Sequence, residues 1–216
     1  MATSLFWSNV GVDVQTALGA SISITAISKA NPAVVSYSGV TDPSNGDYVV
    51  MTVNGMHQVN ERILRVANVN AAGNTFEMEG VDSTTYDTFT SGSFQIVTFG
   101  ASMTTVQGIN VSGGDPEFAD VTTVHDNVRK RVPTVVSPLQ FSMDCRYDLS
   151  DAAYLELNRA YQAKTTRAIR LRFANGYKML LTGYVAAAGV PTGQAQGVVQ
   201  TKVSIEAQNV PQVYAT

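Results

Sequence analysis

The chain has 216 residues, 44% of them hydrophobic and 14% charged, with a formal net charge of −3, which leaves room for one generous domain or two small ones. Its single cysteine, Cys145, excludes an internal disulfide, so the chain is held by packing and hydrogen bonds and can fold in a reducing cytoplasm. The acidic balance excludes a protein that grips nucleic acid through many lysines and arginines.

From the start, "MATSLFWSNVGVDVQ" lacks the basic residues and apolar stretch of a signal peptide, and no later run approaches the ~18 consecutive apolar residues of a membrane span. Neither secretion by the ordinary route nor membrane insertion is expected. Residues 24–97 read as short strands punctuated by turn signals, in "KANPAVV", "TDPSNGDYVVMTVNG", "RILRVANVNAAGNTFEMEGV" and "YDTFTSGSFQIV", a spacing that predicts a small β-barrel. Its flanks, "SISITAI" and "FQIVTFG", are strands that can lie side by side, the geometry needed to insert one unit into another. Residues 1–100 carry three basic and eight acidic side chains, net −5, and residues 101–216 eleven and nine, net +2. Two parts are therefore expected: residues 1–23 with 98–216, and an inserted module over 24–97, read as surface decoration.

Next comes the long connection "NVSGGDPEFADVTTVHDNVRKRVPTVVSP", with no obvious secondary structure. An irregular stretch of more than ~15 residues in a compact domain is functional or ordered by a partner. Its centre holds Asp120, His125 and Asp126 upstream of Arg129, Lys130 and Arg131, with Val121, Val124, Val128 and Val132 recurring every three or four residues. Too polar for burial in a lone subunit yet striped with valine, it reads as a surface that needs a neighbour, with cations of one copy set against carboxylates of the next. The candidate interface residues are Asp120, Val121, Val124, His125, Asp126, Val128, Arg129, Lys130 and Arg131.

Downstream, Leu139, Phe141, Met143, Cys145 and Tyr147 interleave with Gln140, Ser142, Asp144 and Arg146, the period-2 signature of a half-buried strand. "SDAAYLELNRAYQAK" reads as a helix capped by Ser150, with Asp151 at its positive end, Leu149 stapled to Tyr154, and Ala153, Leu157, Ala160 and Tyr161 on one face. In "RAIRLRFANGYKMLLTGYV", Asn175-Gly176 between alternating runs predicts a hairpin with a type I′ turn. A last strand alternates Val199, Thr201, Val203, Ile205 and Ala207 against Gln200, Lys202, Ser204 and Glu206, after the loop "AAAGVPTGQAQG".

Signals for chemistry are sparse. His57 and His125 are the only imidazoles, no serine sits in a G-x-S-x-G elbow, and His125-Asp126 are neighbours whose side chains point apart in extended chain. One cysteine and two scattered histidines do not make a zinc site. "DPSNGD" from Asp42 to Asp47 lacks the alternating acids of a calcium loop and has Val53 at the twelfth place, so it reads as a turn. No catalytic residue, metal or cofactor is expected.

Over residues 99–210 the segment "DVTTVH" at 120–125, the helix start "DLSDAA", the Thr-Arg-Ala lead at 166–168, "FANG", and "PTG" at 191–193 together resemble the major tail tube proteins of long-tailed, siphovirus-type bacteriophages. The resemblance implies a mainly β fold, a β-sandwich flanked by one α-helix. It implies hexameric rings joined edge to edge and stacked into a tube that carries double-stranded DNA in transit. The implied companions are the tape measure, terminator and distal tail proteins, with assembly in the host cytoplasm and a final place in the virion tail. Residues 24–97 are similar to the small β-barrel half-domain called FCCH in ubiquitin-activating enzymes, without any cysteine and so without the activating chemistry. The alternatives are a tail terminator, connector or baseplate hub protein of the same fold, or a host-surface carbohydrate-binding β-protein that uses Tyr48 or Tyr86 of the module.

Overall fold

The computed structural model describes residues 9–39, 41–187 and 189–215. Residues 1–8 of the expected core part and Ala188 of the expected loop lie outside the described residues. Among the described residues, fifteen strands and one α-helix follow in order: β1 Gly11–Leu18, β2 Ile22–Ile27, β3 Ala33–Ser38, β4 Tyr48–Asn54, β5 Ile63–Asn70, β6 Thr75–Met78, β7 Ser91–Met103, β8 Val106–Ser112, β9 Pro116–Asp120, β10 Arg131–Val136, β11 Gln140–Arg146, α1 Ala152–Ala163, β12 Thr166–Arg172, β13 Lys178–Ala187, β14 Gln200–Ala207 and β15 Gln212–Tyr214. The fold is mainly β, as the alternating patterns predict.

The hydrogen-bonding path β2-β3-β6-β5-β4-β7 returns from β7 to β2 through Ile22↔Phe94, Ser23↔Ser93 and Ile24↔Gly92, so these six strands close on themselves. Closure removes free edges. Inside lie Tyr37, Phe76 and Phe94, with Tyr37 and Phe76 each edge-on or tilted to Phe94 at 5.6 and 5.2 Å between ring centres. "DPSNGD" is a turn, in which Asp47 accepts from the Ser44 N–H and Asn45 from the Val69 N–H.

From the other half of β7 the sheet continues β7-β1-β12-β13-β14-β11-β8. Consecutive strands β7 and β8 thus stand at opposite ends of a seven-strand path, about 29 Å apart if it were flat, yet only Thr104 and Thr105 separate them. Three Cα steps reach at most ~11 Å, so the sheet must fold over into a sandwich. The contact is visible: Cys145 Sγ lies 3.7 Å from Met103 Sδ, and the Arg146 N–H donates to the Thr105 carbonyl at 2.8 Å. Val12, Val14, Ile169 and Leu171 from one half share a core with Phe141, Met143, Val203 and Ile205 from the other.

Helix α1 covers that core with Ala153, Tyr154, Leu157 and Ala160. Its cap is Asp151, whose Oδ1 accepts from Ala153 and Tyr154, while Oδ2 accepts from the Thr104 N–H and the Thr105 hydroxyl. One carboxylate therefore both starts the helix and pins the β7–β8 corner. The predicted cap Ser150 instead donates to Asp148, Leu149 is exposed and makes no staple, and the exposed Tyr161 is replaced on the buried face by Tyr154. The cap moves because Asp151 has a second task that a serine one residue earlier is not placed to perform. The β12–β13 turn also differs from the prediction. Only Gly176 has positive φ, 91°, and Phe173 pairs with Tyr177 across a three-residue loop. Asn175 uses its side chain to accept from the Tyr177 N–H, which suits a type I turn followed by a glycine bulge.

The barrel is docked on the sandwich. Tyr48, Ile63 and Val97 pack with Ala168, Leu180 and Tyr214; Arg170 lies over Phe99 and Tyr48 at 4.6 and 5.6 Å from the ring centres; and the Arg65 N–H donates to the Tyr214 hydroxyl at 2.9 Å. Replacing residues 26–96 with a Gly/Ser linker would uncover Leu180, Ala168 and Tyr214, where each large apolar side chain returned to water forfeits about 1.5–3 kcal/mol. The expected result is an aggregated product in the pellet of a sedimented lysate. A soluble, assembly-competent product would show the docking surface to be dispensable.

Candidate functional site

Strands β8 and β11 pair in register from Gln140↔Ser112 to Asp144↔Gly108 and, past a register shift, at Cys145↔Val106. Beyond Gly113 and Gly114 the same two chain directions continue as a separate ladder, β9 with β10, through Val132↔Ala119 and Pro133↔Phe118. Both glycines have positive φ, and at Gly113 a side-chain carbon would lie 2.1 Å from the Pro138 carbonyl. Only glycine fits where the chains approach this closely. The long connection predicted to be irregular is thus a hairpin arm, and from Val111 to Val136 every residue except Asp126 is exposed.

The nine predicted residues all fall on this arm. Asp120 and Arg131 face each other as the last ladder pair, and the other seven form the tip. Val121 and Val132 are half-covered, whereas Val128 is 74% and Val124 97% exposed. The valines do not form one stripe, because the backbone is a hairpin in which spacing by three or four residues has no common face. Phe118, Val135 and Val136 are also exposed and were missed: with water on both faces, their segments show no apolar and polar alternation to read.

The tip organises its own charges. Asp126 accepts from the Thr123 N–H and hydroxyl, both at 3.0 Å, and from the Lys130 ammonium; Lys130, then Thr123, hold its carboxyl below the ordinary carboxylate range. Thr122 does the same for Asp120. Lys130 therefore has its carboxylate within the same hairpin, while Arg129 and Arg131 have no side-chain partner among the described residues. His125 and Asp126 do not form a dyad, since the Asp126 oxygens are committed to Thr123 and Lys130.

Elsewhere the strongest polar cluster is Asp13, 3% exposed in β1, which receives Arg172 Nε at 2.6 Å, Arg170 Nε at 2.8 Å and the Ser102 hydroxyl at 2.5 Å. Burial pushes its carboxyl up, but the bonds from Arg172, Ser102 and Arg170 outweigh it and the net shift is downward. Every acceptor direction is used by the protein itself, which makes the cluster a clasp between β1, β7 and β12. Burial pushes the Cys145 thiol up to about 11. No group of three or more His, Cys, Asp or Glu among the described residues is placed to hold a metal. Tyr48 is buried in the docking surface and offers no open ring for carbohydrate stacking, and Tyr86 is half-buried with its hydroxyl accepting from Arg62.

The second half of the sandwich has a polar outer face, on which Asn110 and Lys202 are exposed and Ser204 partly so, while Ser142 is buried. Across β8, β11 and β14 it runs Asn110, Ser142, Ser204, and beside that row Asp144 stands opposite Lys202. Because the sheet is folded over, this face looks away from the docked barrel. Two strand cations, Arg170 and Arg172, belong to the clasp around Asp13.

Compared with known proteins, the sequence matches the family model described as phage tail tube protein, TTP, over residues 54–216. The match starts at the end of β4, inside the barrel, and runs through the sandwich and the arm. A search of curated proteins finds none that matches the chain.

Proposed function

The chain belongs to the phage tail tube protein family, a structural component of the virion tail, and on that premise we propose that it forms rings of six that stack into the tube through which double-stranded DNA reaches the host. Assembly takes place in the host cytoplasm, together with other tail proteins. The observation that carries the reading is the arm: a hairpin with both faces wet and Phe118, Val124, Val128 and Val136 exposed is a poor way to end a free monomer and a good way to reach a neighbour.

The open polar face supplies the channel wall. DNA that must slide cannot meet many cations, since each neutralised phosphate adds roughly 0.9 to the slope of binding against salt. Asn110 and Ser204 are uncharged, Lys202 stands opposite Asp144, and Arg146 stands opposite the neutral Gln200. Changing Asn110 and Ser204 together to lysine is expected to make tubes retain short duplex DNA in co-sedimentation, with a salt slope steeper by roughly 0.9 for each new phosphate contact. Equal retention by the unchanged protein would remove this face from the channel.

Electron microscopy of the purified protein tests the whole proposal. Long tubes of constant diameter with six-fold end views are expected. Isolated rings that never stack would point to a terminator, and a protein that stays monomeric at every concentration would overturn the reading.

A further inference from the structure

We propose that the root of the arm is the receptor for the arm tip of another copy, so that subunits join tip to root; this rests on the tube reading above. At the root, Gly114, Val136, Pro138, Leu139, Val210 and Pro211 line an open groove of about 420 Å³. Its walls are apolar and wet, with Val136 and Val210 both exposed. Asp115 follows Gly114 directly and Glu117 comes two residues later, and neither carboxylate has a side-chain partner among the described residues. The tip carries the complement: Val124 and Val128, the two valines most open to water on the arm, beside the unpaired Arg129 and Arg131.

A chain cannot fill its own groove. The β9–β10 ladder, whose β9 strand is five residues long and spans roughly 17 Å, holds the tip away from the root. The occupant is therefore a second copy, with two cations and two valines at the tip meeting two carboxylates and an apolar cleft at the root. Tip and root are different surfaces, so each copy gives one and receives on the other; such heterologous contacts close into a ring or run on as an open stack according to the rotation between copies. Charge fixes the register and the valines bury area.

Cysteine cross-linking tests the geometry directly. In the full-length chain, Val124→Cys with Val210→Cys should give, after oxidation of assembled tubes, a ladder of covalent multimers on denaturing gels. The control pair, Val124→Cys with Leu149→Cys, should give none. Native Cys145 is buried and does not compete. A second set keeps the test sharp if the cysteines disturb assembly. Asp115→Lys with Glu117→Lys should cut polymer yield about a hundredfold, the effect of roughly 1.4 kcal/mol for each of the two contacts, and Arg129→Glu with Arg131→Glu should do the same. All four changes in one chain should restore it. Normal tubes that show neither the ladder nor the restoration would overturn the tip-to-root contact while leaving the tube reading intact. An unmodified protein that forms no tubes would overturn both.

Discussion

Alanine at Arg129, Lys130 and Arg131 together is expected to leave a folded monomer with an unchanged far-ultraviolet circular dichroism spectrum and to abolish tube formation. Every atom removed is on the exposed tip, away from the three apolar cores, so folding loses little. Lys130 contributes least, because it already answers Asp126 within its own hairpin and an exposed pair of this kind contributes ~0–1 kcal/mol. Arg129 and Arg131 carry the effect. Each contact is weak alone, but it recurs in every subunit of a ring, and linked weak contacts multiply in their equilibrium constants. Electron microscopy and sedimentation measure the outcome, and tubes of the unchanged protein should loosen as ionic strength rises through the range where the Debye length falls below ~8 Å. Normal assembly of the triple variant, with normal salt tolerance, would return the tip to an ordinary loop.

Asp13→Ala is expected to have the largest effect on stability, a loss of about 3 kcal/mol or more, as when one partner of a buried ion pair is removed. It strands Arg170 on the inner side of the docking surface, where it lies over Phe99, and leaves Arg172, opposite Lys178 on the β12–β13 ladder, without its carboxylate. The acid dependence has a definite sign. The folded-state value of Asp13 lies below its ordinary one, so its contribution is complete above the unfolded carboxylate range near ~3.9 and is lost as pH falls below that toward the folded value. Thermal unfolding followed from pH 7 downward should show the unchanged protein converging on Asp13→Asn in acid. A constant gap between the two would show that the charge of Asp13 is not what the clasp depends on.

How legible these features are in sequence follows from whether the signal is local. The alternation over 139–147 and 199–207 gives β11 and β14 correctly because one face of each packs on the core and the other does not. Asp13 lies between Val12 and Val14, and alternation alone puts it on the opposite face; its partners, 157 and 159 residues onward, have no local trace. The arm hides for the opposite reason. "PEFAD" and "RVPTVV" have water on both sides, so burial imposes no period, and their pairing is visible only in the ladder. At the helix start, Ser150 and Asp151 are both good caps by type, and the choice between them is made by Thr104 and Thr105, distant in sequence.

The position of β1, wedged between β7 and β12, also sets an order of events at the ribosome. Barrel strands β2 to β7 are complete once residue 103 has emerged, so the barrel can close early. Strand β1 gains one neighbour then, but the other edge of its ladder, and both arginines that neutralise Asp13, arrive only with residues 166–172. At about 5–20 residues per second, that interval lasts several seconds, during which β8, β9 and β10 are already exposed but the groove wall formed by Val210 and Pro211 does not yet exist. A nascent chain can therefore present a tip before it can accept one, so the direction of translation keeps another copy from docking on an unfinished subunit.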